Sequence, residues 1–212
     1  MTNFIPIFPL SIVVYPHESL NLHIFEEKYK QLINECIEQK KVFGIPVVIN
    51  DVIMEMGTTI RILEVTKTYE SGEMDIKTIG EDVFRILEPI HQMPDKLYSG
   101  AIVNYPRNHE HGKRLLMNKV IDSLKFLHSI LKVEKPFPKE DKDLWSYDIA
   151  HQSGLTLHQE YELLSLMNEL QRQEFLKRHL AEVIPVVAEM EALKEKIKLN
   201  GHFKNISGFN IN

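Results

Sequence analysis

The stretch IPIFPLSIVVYPHESLNLHIFEEKYKQLI, residues 5–33, places three prolines among β-branched and aromatic residues and then becomes amphipathic. A proline removes a backbone hydrogen-bond donor, so it is uncommon in a central strand. The residues around Pro6 and Pro9 are nevertheless too apolar for a simple loop. The stretch therefore predicts an edge or first strand, a turn near Pro16, and then a helix.

The composition is that of a soluble globular protein. The 212 residues are 43% hydrophobic and 26% charged, which suffices for one large domain or two small ones. The formal net charge of −5 argues against a general binder of nucleic-acid backbones, because such proteins are normally basic. The single cysteine, Cys36, excludes an intrachain disulfide and a CxxC site. Since no targeting segment is evident and no apolar run approaches the ~20 residues of a membrane span, we expect a cytoplasmic protein that does not enter a membrane.

Up to about Tyr105 the apolar pattern is short and typical of strands. In the segment after Gly57, the apolar side chains change faces within one strand, which predicts a bulge. Ser71 and Gly72 predict a hairpin turn. This half contains six or seven short strands, and a closed or nearly closed, mainly antiparallel β-barrel would leave few of their edges exposed.

One helix interrupts the strand-rich half. Its apolar residues recur at helical spacing between residues 26 and 37: Tyr29, Leu32, Ile33, Cys36 and Ile37. Because Cys36 lies on this apolar stripe, we expect a buried, inert thiol rather than a nucleophile.

After Pro106 the apolar period becomes that of α-helices. Thr156 and Gln159 form a predicted capping box at the start of one helix. Pro185 predicts that the last helix kinks or restarts.

These two halves indicate an α+β fold. We expect residues 1–108 to form the β-barrel subdomain, residues 109–199 a C-terminal helical bundle, and residues 200–212 a flexible tail.

The sequence contains no recognisable catalytic or cofactor motif. Phosphate-binding and dinucleotide-binding glycine loops, a GxSxG elbow and an HExxH motif are all missing. The cluster His109-Glu110-His111 lies in a polar stretch and is more typical of a solvated loop than of a metal site. We therefore expect no catalytic residue, no metal and no cofactor.

Four methionines fall in the strand-rich half: Met54, Met56, Met74 and Met93. Flexible thioethers suit adaptable binding surfaces, although filling gaps in an irregular core is the simpler interpretation of each.

An ordered series of motifs resembles the N-terminal, substrate-binding domain of Lon-type ATP-dependent proteases. The series comprises FPL at Phe8–Leu10, Pro16, L-x-I-F-E-x-x-Y at Leu22–Tyr29, Phe43-Gly44, Gly57-Thr58, G-x-x-x-F-R-I at Gly80–Ile86, and the helical segment Gly154–Leu180. The resemblance spans nearly the whole chain. It implies a PUA-like β-barrel followed by a helical bundle, in a stand-alone form without the ATPase and peptidase domains.

The resemblance implies a non-catalytic protein-binding module that recognises exposed apolar or unfolded polypeptide segments. An adaptor role in proteolysis or protein quality control, with a protease or chaperone as partner, is part of this expectation. The partner-binding candidates lie around the helix start: Tyr15, Phe25, Glu26, Glu27 and Lys28. The alternative for Phe25 is that it is a core staple, and the alternative for the charges is that they only solvate the helix.

Two other function classes remain open at this stage. PUA-like barrels also occur in RNA-binding proteins, but the acidic balance and the lack of a basic, aromatic-interleaved stripe count against RNA binding. A hydrolase would need an activated nucleophile and its base in one cleft.

Overall fold

The computed structural model describes the backbone of residues 2–206 and the side chains of residues 3–198. The chain forms two compact units: the first comprises the chain up to Glu110 together with Leu155–Glu169, and the second comprises His111–Gly154 and the chain from Leu170. The sequence pattern assigns residues 155–169 to the helical half, but they pack with the strands of the first unit.

Six strands form one antiparallel sheet in the first unit. They are β1 (Thr2–Pro6), β2 (Ser19–Ile24), β3 (Phe43–Ile49), β4 (Val52–Thr68), β5 (Met74–Ile90) and β6 (Gly100–Asn104). The strand order is β1-β6-β5-β4-β3, and β2 pairs with β5 beside this path. The α+β class and the mainly antiparallel pairing are as predicted.

The sheet is not closed into a barrel, so the predicted PUA-like barrel is wrong in this respect. β1 and β3 lie at the two ends of the strand order. Within the described residues, the chain after β1 reaches β3 through two isolated parallel bridges, Ile7 with Gly44 and Leu10 with Val47. Pro6 and, on β3, Pro46 lack N–H groups that a continuous ladder between these segments would need.

The long strands β4 and β5 are irregular, as the change of apolar face predicted. Their pairing shifts register at three places, between Thr58 and Ile60, between Ile62 and Glu64, and between Val65 and Lys67. The bulges bend the long strands, so that one strand can pair with different neighbouring strands along its length. At the predicted hairpin, Gly72 has a φ of +79° and its N–H donates to the Tyr69 carbonyl at 2.9 Å.

Helix α1 (Glu27–Gln39) separates β2 from β3, close to its predicted position. It buries Leu32, Ile33 and Cys36 against the sheet. The Phe8 ring stacks on Tyr29 of this helix with ring centroids 3.8 Å apart. These contacts belong to the main core cluster of the unit: Phe8, Val14, Ile24, Leu32, Ile33, Cys36, Phe43, Ile45, Ile60, Met74, Ile76 and Tyr98.

Four helices follow the sheet: α2 (Arg114–Leu131), α3 (Ser146–Ile149), α4 (Leu157–Ser165) and α5 (Glu169–Ile206). Helix α4 lies in the first unit and begins with the predicted capping box. The Gln159 N–H donates to the Thr156 hydroxyl at 3.3 Å, and the Thr156 N–H donates to the Gln159 side chain at 2.9 Å.

The second unit is helical. Its core includes the apolar face of α2 and Phe175, Leu176 and Leu180 of α5. The fully buried Arg172 guanidinium lies over the Tyr147 ring, 4.2 Å from its centroid.

Helix α5 does not restart at Pro185, which lies inside it. A proline removes a single donor, and the helix is anchored by buried residues in the turns before it. The backbone of α5 continues to Ile206, so the predicted tail, residues 200–212, overlaps its end, and residues 207–212 lie outside the described residues. Among the described residues, no helix is both long enough and apolar enough to cross a bilayer.

Gly44 is the point where β3 meets the chain after β1. A Cβ atom there would lie 2.7 Å from Ile5 Cδ1 and 2.8 Å from Phe84 Cε1. We expect Gly44→Ala to lower the free energy of unfolding by about 2 kcal/mol through overpacking, as measured by urea unfolding. Ser71→Ala, in the exposed hairpin turn, is the control and should change it by less than about 0.5 kcal/mol; equal effects of the two substitutions would contradict the close approach at Gly44.

Candidate functional site

A groove opens in the first unit beside β1, and we call it the edge groove. Its volume is about 480 Å³. Both apolar and polar side chains line it: Asn3, Phe4, Ile5, Pro6, Glu35, Cys36, Gln39, Lys41, Val42, Met93, Lys96, Tyr98 and Tyr105. The groove therefore lies between the end strand β1, the last turns of α1, the start of β3 and the segment between β5 and β6.

The edge of β1 that borders this groove has unpaired backbone groups. In an antiparallel ladder, alternate residues turn their N–H and C=O groups towards the partner strand. The Ile7 N–H donates to the Ser99 carbonyl at 2.9 Å, so odd-numbered residues of β1 face β6. The N–H and C=O of Phe4 therefore face away from β6, whereas the C=O of Pro6 lies on the side of the bridge between Ile7 and Gly44. Within the described residues, β6 is the strand that pairs with β1, and no strand pairs with this outer edge.

One wall of the groove is fixed by a carboxylate. Glu35 Oε2 accepts hydrogen bonds from Lys96 Nζ at 2.7 Å and from the Tyr98 hydroxyl at 2.6 Å. One turn earlier, the Gln31 side chain donates to the Asp95 carbonyl at 3.1 Å and accepts from the Leu97 N–H at 2.8 Å. These four bonds hold the segment between β5 and β6 against α1.

The hydrogen bonds at Glu35 determine its ionisation. Burial alone would raise the pKa of the Glu35 carboxyl, but the hydrogen bonds from Lys96 and Tyr98 outweigh it, and the pKa lies below its ordinary value of 4.5. Burial and the neighbouring carboxylate raise the pKa of Tyr98. At neutral pH the Glu35 carboxyl is therefore ionised and the Tyr98 phenol is neutral, which suits a structural hydrogen-bonded pair rather than a poised acid and base.

Cys36 also lines the groove, but its thiol is inert. Its side chain is 4% exposed, and burial raises its pKa to about 12. The thiolate is the reactive form of cysteine, and it is scarce at neutral pH with such a pKa. The prediction that the thiol is buried is confirmed, and its raised pKa supports the expectation that it is unreactive.

The sequence-predicted contact residues lie elsewhere on the first unit. Phe25 is 60% exposed, so its interpretation as a core staple is wrong. Glu26 pairs with Lys28 at 3.0 Å, and Glu27 with Lys30 at 2.8 Å, so these charges are largely balanced locally.

Tyr15 is not part of that exposed surface. It is 1% exposed, and its hydroxyl donates to the Glu160 carbonyl of α4 at 3.2 Å. Its ring therefore cannot contact a partner, which corrects the prediction that it borders the binding surface.

The predicted solvated loop at His109-Glu110-His111 is hydrogen-bonded through the backbone of its first residue. The His109 N–H donates to the Met167 carbonyl at 2.9 Å, and the His109 carbonyl accepts from the Glu169 N–H at 2.8 Å. Among the described side chains, no three His, Cys, Asp or Glu residues are grouped as a metal site.

The family comparison agrees with this architecture. Residues 5–195 match the family model of the ATP-dependent protease La (LON) substrate-binding domain. The chain belongs to this family. The Lon substrate-binding domain is itself non-catalytic, and the match does not favour the RNA-binding alternative.

Two solved structures share the Lon N-terminal fold with this chain. A Lon N-terminal domain protein from Xanthomonas campestris is 21% identical with a TM-score of 0.61, covering 82% of this chain and 96% of that one. The N-terminal domain of the Mycobacterium avium complex Lon protease is 14% identical with a TM-score of 0.60, covering 84% and 98%. No curated protein sequence matches the chain significantly. At these identities the structural likeness establishes the fold alone.

Sequence patterns did not identify the edge groove. Glu35 looks like an ordinary solvent-facing residue of α1, and Phe4 lies before the first motif. The interpretation of the methionines as binding-surface residues points to the groove at Met93, which lines it, whereas Met56 and Met74 are buried. The pairing of Glu35 with Lys96 and Tyr98 joins residues more than 60 positions apart, which one sequence does not reveal.

Glu35→Gln would remove the charge and keep the shape of the side chain. Because the folded-state pKa of Glu35 is lowered, its ionised form stabilises the fold above the unfolded-state pKa, and this contribution is lost as pH falls through the folded-state pKa. We expect the substitution to lower the free energy of unfolding by about 1 kcal/mol at neutral pH and to have no effect in strong acid, as measured by urea unfolding.

Glu38→Gln is the matched control for this prediction, because Glu38 is an exposed residue of the same helix. It should leave the free energy of unfolding nearly unchanged at both pH values. A loss at Glu35 that is equally large in strong acid would show that charge is not the cause.

Proposed function

We propose that this chain binds unfolded or extended segments of other polypeptides in the edge groove and that it does so without catalysis. The observation that carries the proposal is the unpaired outer edge of β1 beside a partly apolar groove. An extended segment laid along this edge would act as an additional strand. Backbone pairing of this kind accepts many sequences, because every residue except proline offers the same donor and acceptor.

The side chains of the groove suit such a ligand. Phe4 is 47% exposed and offers an aromatic surface, and Met93 is a flexible thioether that can adapt to different side chains. Apolar side chains of a bound segment would be removed from water here, at roughly 25 cal/mol per Å² of apolar surface. An unfolded chain exposes both the free backbone and the apolar side chains that the groove would bind, whereas a folded protein hides most of both.

Family membership supports a substrate-binding role, since the family is that of the substrate-binding domain of an ATP-dependent protease. We propose that the chain acts as an adaptor in proteolysis or protein quality control, in the cytoplasm, and presents the bound segment to a protease or chaperone. The buried Cys36 thiol and the stable Glu35–Lys96 pair support a role without chemistry at the groove.

The start of α1 is a second contact surface in this proposal. Phe25 and Glu26, just before the helix, and Glu27 and Lys28, in its first turn, form an aromatic and charged surface. A long unfolded polypeptide could contact it in addition to the groove.

Backbone pairing can be tested with the intact chain and two peptides. The first is a fluorescent extended peptide with alternating valine and threonine, and the second is the same peptide with alternate backbone amides N-methylated. N-methylation removes donors without removing side chains, so we expect at least tenfold weaker binding of the second peptide by fluorescence anisotropy, since each lost hydrogen bond contributes about 1 kcal/mol. Equal affinities would contradict strand addition.

A pair of variants tests where the peptide binds. Phe4→Ala should weaken binding of the unmodified peptide about fivefold, because an exposed aromatic contact is lost. Val52→Ala is the control, because Val52 is similarly exposed, at 59%, but does not line the groove. Melting temperatures of both variants must be compared, since the Phe4 ring also packs over Gly100. An equal loss of binding in both variants would contradict the edge groove as the site.

Charge reversal tests the second contact surface. We expect Glu26→Lys combined with Glu27→Lys to weaken capture of a reduced, alkylated protein that cannot refold. The melting temperature should change by a few degrees at most, because exposed ion pairs contribute only about 0.5 kcal/mol. Unchanged capture in a pull-down would remove these residues from the proposed binding surface.

A further inference from the structure

A second groove adjoins the edge groove, and we call it the lysine groove. Its volume is about 260 Å³, and it lies between the end of α1 and β4. The two grooves share Cys36, Lys41 and Val42 in their linings. The two grooves are therefore adjacent at residues 36 and 41–42.

The lysine groove also borders an unpaired strand edge. β3 begins at Phe43, which pairs with Ile60 of β4. Beyond Ile60, residues Arg61–Thr68 of β4 pair with β5 on one side. In the described part of the chain, no strand pairs with their other side. The groove thus offers the same backbone contacts as the edge groove.

The floor of this groove is apolar and exposed. Leu63 is 52% exposed, Val65 37% and Ile37 39%. These side chains lie on β4 and on the last turns of α1. The groove therefore favours a ligand with apolar side chains, as the proposed function requires.

The charges around this floor are not balanced. Arg61 pairs with Glu81, and Glu64 pairs with Lys77 at 3.3 Å. Lys40 and Lys41, by contrast, have no carboxylate within 4 Å among the described side chains. The groove thus carries two uncompensated positive charges on a chain whose formal net charge is −5.

The end of α1 explains part of this arrangement. Lys40 is the C-cap residue, and positive charge is favourable at the negative end of a helix. The partial negative charge of a helix end does not replace a carboxylate as a direct partner. Both ammonium groups therefore remain available to an anionic ligand.

We propose that the lysine groove selects acidic residues beside the apolar part of a bound polypeptide. The ligand class is an extended segment of apolar residues flanked by Asp or Glu. This inference rests on the proposed function and adds to it a preference among unfolded segments. Apolar side chains of the segment contact Leu63 and Val65, and the flanking carboxylates lie beside Lys40 and Lys41.

The test uses three peptides with the same alternating valine and threonine core and two flanking residues that are Asp, Asn or Lys. We expect the Asp-flanked peptide to bind the unmodified chain about threefold to tenfold more tightly than the Asn-flanked one, and the Lys-flanked peptide to bind most weakly. The difference should shrink in high salt, because exposed charges are screened.

Lys40→Gln combined with Lys41→Gln should remove this preference, and the readout is the ratio of the affinities for the Asp-flanked and Asn-flanked peptides, because Lys41 also lines the edge groove. Lys119→Gln, at an exposed lysine of α2, is the matched control and should keep the preference. An oligouridylate with more negative charge should not displace the Asp-flanked peptide.

The outcomes separate this inference from the proposed function. If the three peptides bind equally, or if the preference survives in the double variant, only the inference is overturned. If no peptide binds, the proposed function fails as well. Displacement of the Asp-flanked peptide by the oligouridylate would assign the two lysines to nucleic-acid phosphate and also overturn the inference.

Discussion

The first unit depends on a change of hydrogen-bond partner between two adjacent residues. The Ile7 N–H donates to Ser99 beside β6, and the Phe8 N–H donates to Gly44 of β3. An extended chain turns successive N–H groups to opposite sides, so this short segment can contact both ends of the sheet. Pro6 and Pro46 prevent the contact from becoming a continuous ladder, because each lacks an N–H group on the side of the facing segment. The sheet ends are thereby held together by two isolated bridges and left apart beside them.

The edge groove follows from this incomplete closure. On one side β1 presents unpaired backbone groups, and on the other side Glu35 fixes the segment that carries Lys96 and Tyr98. The resulting surface has hydrogen-bonding groups and apolar contacts but a thiol that is protonated at neutral pH. These features support the proposed binding of extended chains.

Local sequence patterns predicted local structure well. The helix before β3, the hairpin at Gly72, the bulged strand β4 and the capping box at Thr156 each depend on residues close in sequence. Closure of the barrel depends on pairing between β1 and β3, which no local pattern encodes. The burial of Tyr15 was not predicted, because its hydroxyl bonds to the carbonyl of Glu160, which is 145 positions away in the sequence. The residues of the edge groove were not predicted either, because they also come together from distant parts of the sequence. The family resemblance indicated the class of function but not the position of the site.

Amide hydrogen exchange can show whether an extended polypeptide pairs with the outer edge of β1. The exchange of the intact chain is measured with and without a reduced, alkylated protein that cannot refold. With the bound polypeptide we expect slower exchange at the Phe4 amide, whose N–H has no partner in the sheet, and little change at the Ile5 amide, which faces β6. Unchanged exchange at Phe4 in the presence of bound polypeptide would exclude strand pairing at this edge.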